Sequence, residues 1–240
     1  MRLNEMKDQS EDEKLVFQED QIKSILQKFE LLKEERKDKI VIMDWNVLER
    51  CLEEKEIEII TKLKRINPKK YGFNGHFLGF HLSQNNLVKI AGQRYFNEEK
   101  EKEIGVQYLP ENVFHSFTKM NEKMMAEIDR KLLVESGYRS YAYQTVVFLW
   151  YLDFFKYDLK KTFERVALPG YSEHGCGMRQ GIDVMTVDGK PSEKNPYDFV
   201  DTVEYDWLKK RAGDFGFTES YPKENPWGVV YEPWHWRHEK

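Results

Sequence analysis

Pro169-Gly170-Tyr171-Ser172-Glu173-His174-Gly175-Cys176-Gly177, followed closely by Gly181-Ile182-Asp183-Val184-Met185, is the stretch on which the reading of this chain turns. Its first half is rich in turn-forming residues and presents a histidine on a loop, the place where a rigid scaffold tends to carry its reactive groups. Its second half reads as an apolar strand interrupted by one aspartate. A carboxylate among apolar residues needs a partner, because burying it alone is costly. A metal ion is one such partner. A solvent-facing position on an edge strand is the plainer alternative for an isolated aspartate.

The C-terminus changes that balance. Tyr231-Glu232-Pro233-Trp234-His235-Trp236-Arg237 sets a carboxylate and an imidazole three positions apart. Pro233 excludes a regular helix interior and pushes Glu232 toward an extended conformation. A tight turn over these four residues keeps their ends within about 7 Å. His235 can then bind a metal while Glu232 points at the water on it, since catalytic zinc is held by three protein ligands and keeps one position open. Zinc lowers the pKa of that water to about 7, and a nearby glutamate can remove its proton and pass it to a leaving amine.

Around these motifs, residues 106–240 read as one catalytic domain. Leu109-Pro110-Glu111 opens a helical pattern carried by Val113, Phe114, Phe117, Met120, Met124 and Ile128. Leu132-Leu133-Val134 reads as a short buried strand, and Tyr143 to Phe155, apolar on most faces, as a deeply buried helix. Late strands at 181–186 and 228–236 flank a helix near 205–215. Mixed helices and short strands argue for α+β, here a small antiparallel sheet with helices packed on it.

Upstream, residues 1–38 are charged, yet Leu15, Ile22, Ile25, Leu26, Phe29 and Leu32 recur at helical spacing, which predicts an amphipathic helical extension. Residues 39–105 are expected to form an N-terminal lobe packing on the catalytic domain. They hold a short apolar start (Ile40 to Met43), a helix from Trp45 to Lys64, and turns with short strands over Tyr71 to Gly79. His76 and His81 have no partner at metal-ligand spacing and read as structural or surface residues.

The 240 residues are 40% hydrophobic and 14% aromatic, enough for a sizeable core, and the net charge of −4 gives no reason to expect a nucleic-acid partner. No run of apolar residues is long enough for a transmembrane helix. Cys51 and Cys176 form neither a disulfide framework nor a paired zinc signature. Met1 to Lys14 lacks the apolar stretch of a secretory signal, so the chain as written is expected in the cytoplasm; removal of an upstream signal would place it in the cell envelope or outside.

Ser136-Gly137-Tyr138-Arg139-Ser140 with Gln144, then Pro169 to His174, then Glu232 to Arg237 resemble, in that order, the motifs of the VanY-type D-alanyl-D-alanine carboxypeptidases, zinc peptidases related to VanX dipeptidases and L,D-carboxypeptidases. The lead-in from Trp207-Leu208 through Phe215-Gly216-Phe217 to Tyr221-Pro222 fits as well, and the resemblance spans roughly residues 106–240. It implies a hedgehog/VanX-like zinc peptidase fold, Zn2+ held by His174, Asp183 and His235, and Glu232 as general base. It also implies that Arg139 engages the substrate and stabilises the oxyanion, with Gln144 and Ser172 lining the substrate's terminal carboxylate or backbone. The implied substrate is a peptidoglycan stem peptide or its precursor, cut near its C-terminus.

Two departures stand out. The family pattern places the aspartate seven residues after the first histidine, whereas Asp183 follows His174 by nine, with Gly181 at a small-residue position. A bulge or widened loop at Met178 to Gln180 would absorb the extra pair; otherwise Asp183 is displaced, and Cys176 becomes a candidate soft ligand. His238 stands where the family has an aromatic, and reads as a supporting or surface residue. The insertion motivates a second reading, a non-catalytic module that binds peptidoglycan or a peptide. A cysteine hydrolase built on Cys176 ranks last.

Overall fold

A computed structural model of the chain describes residues 18–79, 86–97 and 100–239; Leu15, His81 and the segment Met1 to Lys14 fall outside them. Glu19–Arg36 forms helix α1, which buries Ile22, Ile25, Phe29 and Leu32 at the spacing visible in the sequence. The helix expected from Trp45 to Lys64 is two, α2 (Trp45–Glu49) and α3 (Glu54–Leu63). The break has a local cause. Glu53 caps α3 in a reciprocal box, accepting from the Glu56 backbone while its own N–H donates to Glu56 Oε2 at 2.7 Å, which starts a new helix at Glu54. The same Glu56 carboxylate accepts from Lys28 Nζ of α1 at 2.7 Å, so the cap also ties α3 to α1.

Pro68–Tyr71 forms a 3-10 turn that ends on Gly72 at φ 92°, a left-handed conformation suited to glycine. No strand follows within residues 71–79, contrary to expectation. Two small antiparallel ladders come next: β1 (Leu87–Ile90) pairs with β4 (Gln107–Pro110), and β2 (Arg94–Asn97) with β3 (Lys100–Glu103). Helix α4 (Glu111–Ile128) buries Val113, Phe117, Met120 and Met124, one face of the predicted pattern, and ends on Asp129 in the left-handed region.

The central element is a four-stranded antiparallel sheet. Its strands are β5 (Leu132–Ser136), β6 (Arg179–Thr186), β7 (Phe217–Glu219) and β8 (His235–Glu239), arranged in the order β5-β6-β8-β7. Between β5 and β6 lie α5 (Tyr141–Phe154) and α6 (Leu159–Phe163), and α7 (Val203–Arg211) lies between β6 and β7. The last strand starts at His235 rather than near Gly228, because residues 232–235 form a turn, with the His235 N–H donating to the Glu232 carbonyl at 3.1 Å.

One sheet face packs Leu132, Val134, Ile182, Val184, Phe217 and Trp236 against α4, with Trp207 and Leu208 of α7. The other faces the cleft, whose far wall includes Tyr143, Gln144 and Val147 of α5, a helix capped at its N-terminus by Ser140 Oγ accepting from the Tyr143 N–H at 3.2 Å. Phe148, Leu149 and Leu152 of α5 close a second core with Ile22 and Ile25 of α1, Ile59 and Leu63 of α3, and Phe163 of α6. Contrary to the apolar pattern, α5 is not buried all round: Trp150 and Phe154 stack on each other at its solvent face, with ring centroids 5.4 Å apart.

Phe148 is fully buried where α1, α3, α5 and α6 meet. Phe148→Ala is expected to destabilise the protein by about 3–5 kcal/mol, measured by urea unfolding. A loss under about 1 kcal/mol would mean that the N-terminal helices are not part of the same cooperative unit.

Candidate metal centre and its cleft

Strand alternation aims the first donors. Ile182 and Val184 enter the core, so Asp183 between them points to the opposite face, and antiparallel register sets His235 of β8 directly across from it. The same register turns Trp236 into the core beside Ile182. His174 arrives from a 3-10 turn over Glu173–Gly175, fastened to the sheet by its own carbonyl, which accepts from the Arg139 N–H (3.0 Å) and from Gln180 Nε2 (2.9 Å).

The sequence leaves open whether the two extra residues displace Asp183. They do not. A turn at Gly177–Met178, with Met178 projecting into solvent, takes up the added length before β6 begins at Arg179. Gln180, within the widened segment, is fully buried and braces the His174 turn. Gly181 occupies the small-residue position for a steric reason, since a Cβ there would lie 2.8 Å from Cε1 of the His235 ring.

One donor atom from each of His174, Asp183 and His235 lies within 4.8 Å of the others, and among the described residues these three form the cluster able to hold a metal ion. His174 Nδ1 is 2.8 Å from the Gly137 carbonyl, so Nδ1 carries the proton and Nε2 presents a lone pair 3.3 Å from Asp183 Oδ2. Burial, with Arg139 nearby, lowers the His174 pKa and keeps this imidazole neutral. Two acceptors facing each other call for a cation. His235 Nδ1 is 2.8 Å from Asp183 Oδ1, and Nε2 is 3.1 Å from Glu173 Oε2. Donors bound tetrahedrally to one zinc ion at their usual distances stand about 3.3 Å apart, which matches the His174 Nε2–Asp183 Oδ2 spacing, while the 2.8 Å between His235 Nδ1 and Asp183 Oδ1 is the length of a hydrogen bond. In each histidine the second ring nitrogen is bonded to a carbonyl or carboxylate, the support that metal-bound imidazoles ordinarily have. The residues present therefore fit zinc.

The electrostatics are those of a compensated buried charge. Burial acts to raise the Asp183 carboxyl, but its hydrogen bond with His235 holds it well below the usual carboxylate range. Burial acts to lower His235, but its bonds to Asp183 and Glu173 raise it to about 10. Arg139 adds a third contact to the aspartate, Nη2 to Oδ2 at 3.2 Å, with its Nε donating to Ser136 Oγ at 2.9 Å.

A cleft of about 570 Å³ opens onto this cluster, within the usual range for small-ligand sites. Glu232, Arg139, Gln144 and Ser172 all line it, so the seven residues singled out from sequence share one cavity. Burial pushes the Glu232 carboxyl up to about 7 against the pull of His235, with Asp183 adding repulsion. Gln144 donates from Nε2 to the Ala167 carbonyl at 2.8 Å, while its buried Oε1 has no partner. Cys176 is buried but belongs neither to the cleft lining nor to the donor cluster. His238 is buried too, not at the surface; it bonds Ser116 Oγ at 3.0 Å and packs on Phe217. His76 packs edge-on against Trp227.

Three supporting groups escaped the sequence reading. Glu173, beside His174 in the quoted motif, holds His235 and accepts from Ser220 Oγ at 2.5 Å. Gly137 supplies the carbonyl that fixes the His174 tautomer, and has no room for a side chain because a Cβ would meet the Tyr108 carbonyl oxygen at 2.3 Å. Tyr221 lies against the His235 ring at 4.9 Å, and burial raises its phenol well above 10, keeping it a proton donor. Adjacency to a motif was the available signal for Glu173 and Gly137.

A His235 raised from its ordinary 6.5 to about 10 stabilises the metal-stripped protein fully below pH 6.5, a contribution lost as pH rises through 10. Chelator-treated protein is therefore expected to show a falling Tm from about pH 7 to 10, measured by scanning calorimetry. Zinc replaces the proton that pH removes, so zinc-loaded protein should show a flatter profile. A Tm independent of pH over that window in the stripped protein would contradict the charged bridge.

The sequence profile described as "VanY: D-alanyl-D-alanine carboxypeptidase" matches residues 106–240. Among curated proteins, YodJ of Bacillus subtilis (strain 168) is 34% identical over 110 residues, covering 45% of this chain and 38% of YodJ. The bifunctional D-Ala-D-Ala dipeptidase and carboxypeptidase VanXYC of Enterococcus gallinarum is 31% identical over 113 residues, covering 46% of this chain and 57% of that protein. The match thus spans about two fifths to three fifths of these relatives' lengths. Among solved structures, the LdcB LD-carboxypeptidase, described as revealing the molecular basis of peptidoglycan recognition, superposes with a TM-score of 0.50 at 30% identity, covering 64% of this chain and 68% of that one. With the profile covering more than half of the chain and the α+β architecture in agreement, the chain belongs to the VanY D-alanyl-D-alanine carboxypeptidase family.

Proposed function

We propose that this protein is a zinc-dependent carboxypeptidase or dipeptidase that hydrolyses a peptide bond near the C-terminus of peptidoglycan stem peptides, D-Ala-D-Ala or a similar terminus. The observation that carries the reading is the convergence of His174 Nε2, Asp183 and His235 Nδ1 beside Glu232 in one cleft. When bound there, zinc supplies Lewis-acid chemistry, acidifying water and polarising a carbonyl.

The chain's own groups divide the remaining work. Glu232, whose carboxyl sits near neutrality, takes a proton from the attacking water and delivers it to the nitrogen of the leaving amine. The Arg139 guanidinium donates to the oxyanion that develops on the scissile carbonyl, a task suited to a fixed fork that keeps its charge. Gln144 Oε1, buried and without a partner, accepts an N–H of the peptide backbone, which satisfies an otherwise costly orphan. Ser172 offers its hydroxyl from the same wall. Arg165, exposed at the rim, binds the terminal carboxylate.

The reading as a binding module loses its motive once Asp183 is in register with His235 despite the insertion. The cysteine-hydrolase reading has no support from Cys176, which lies off the cleft. D,D- and L,D-specificity differ in the residue carrying the scissile carbonyl, which the metal donors do not sense.

The test is mass-spectrometric product analysis on synthetic stem peptides that vary only the last residue, its chirality and its presence. Glu232→Gln is expected to lower kcat about 10²–10⁴-fold with about one zinc per chain retained. Arg165→Ala is expected to raise KM roughly tenfold, the scale of one charged hydrogen bond, and to leave kcat nearly unchanged. Activity that survives complete removal of metal would rule the assignment out.

A further inference from the structure

Helix α5 has an apolar stripe that the cores described above do not use. Tyr143, Val147, Trp150 and Phe154 recur at intervals of four, three and four, the spacing by which one helix packs on another. The outer end of this stripe is left open among the described residues. Trp150 is 51% exposed and Phe154 59%, an unusual outlay of aromatic surface for a chain that otherwise buries its large side chains. Helix α1 runs beside α5 and antiparallel to it, with Phe29 against Tyr143 (ring centroids 5.8 Å apart) and Lys23 near Asp153. It shows a stripe of its own, Lys23, Leu26, Glu30 and Lys33, at intervals of three, four and three. Between the two stripes lies a groove of about 530 Å³, with Leu26, Phe29, Val146 and Val147 at its floor and charged residues along its rims.

The charges decide what fits there. The rims carry Lys23 and Lys33 together with Glu30 and Asp153, so the groove has no excess of positive charge with which to hold an anionic lipid surface. It does match itself. Lys23 and Glu30 are opposite in sign and stand two turns apart on one face of α1. A two-fold axis crossing α1 between Leu26 and Gln27 exchanges those two positions, which sets Lys23 of each copy against Glu30 of the other. The same rotation runs α5 antiparallel to its counterpart. Trp150 and Phe154 of one copy then lie over Val147 and Tyr143 of the other, and the exposed aromatic surface is covered twice over.

We propose that the groove between α1 and α5 is the interface of a symmetric homodimer, in which two copies join their helix pairs into a four-helix layer. Burial of Trp150, Phe154 and Val147 supplies the affinity, and the reciprocal Lys23–Glu30 contacts fix the register and exclude wrong partners. Tyr143 and Val147 line the groove and the catalytic cleft alike. The second copy therefore closes off the outer side of the cleft's α5 wall, which gives the N-terminal helix a role in shaping the site that its sequence position does not suggest.

The test is analytical ultracentrifugation of the full-length chain. At about 100 µM it is expected to sediment at twice its monomer mass of 28.9 kDa. Lys23→Glu and Glu30→Lys each set like charges against one another on both sides of the axis, and each is expected to weaken association about tenfold or more. An equimolar mixture of the two variants should recover the dimer, because the acidic face of one then meets the basic face of the other, and the double variant should recover it alone. Trp150→Ser should weaken association with no change of charge. Both charged side chains are exposed, so the folded state, read by circular dichroism, is expected to stay intact in every charge variant. A chain that stays monomeric at about 100 µM, single charge variants that associate like the parent, or a mixture that fails to recover the dimer would overturn the assignment. A monomer that instead binds anionic vesicles through Trp150 would overturn it too, and would give the groove to a lipid surface.

Discussion

The charge of Asp183 is the constraint around which the rest is arranged. A carboxylate enclosed between a strand and two imidazoles is tolerable only if each of its oxygens is answered. Here Oδ1 is answered by His235 and Oδ2 by Arg139. Every neighbouring element serves that compensation. The sheet register delivers His235, the turn at residues 173–175 delivers His174, and the loop after β5 brings Arg139 and the Gly137 carbonyl. Glu173 extends the alternation of charge one step further, so that His235 stands between two anions. Removing any one member leaves a buried group without its counterpart, and such groups are therefore expected to act as a unit.

Most of the site was legible in the sequence because its members sit in short motifs whose chemistry is local. Pro233 limits what Glu232 and His235 can do, and the turn hydrogen bond between them is the outcome that limit implies. The apolar context of Asp183 is a strand's signature, and alternation alone decides which way it faces. The buried faces of α1 and α4 were equally readable, since their apolar residues recur at helical spacing.

What sequence could not supply was long-range accommodation. The break between α2 and α3 depends on a glutamate acting as a cap and a lysine of α1 meeting the same carboxylate, and neither follows from apolar periodicity. The exposure of Trp150 and Phe154 depends on which neighbours α5 has, a fact that a helix's own composition does not contain. Gln180 and Glu173 look like ordinary polar residues until the sheet encloses them.

The turn at Gly177–Met178 carries a consequence for how this family can vary in length. Side chains along a strand obey parity, and the face of β6 that meets His235 is fixed by which residues are odd-numbered: Gly181 must clear the His235 ring, and Asp183 must face it. An insert of two residues preserves that parity even if part of it slides into the strand. An insert of one would be harmless only if the turn absorbed all of it, since any leakage into β6 would rotate the carboxylate into the apolar core. Lengths that differ by even numbers at this position are thus the ones a working centre can most readily accept.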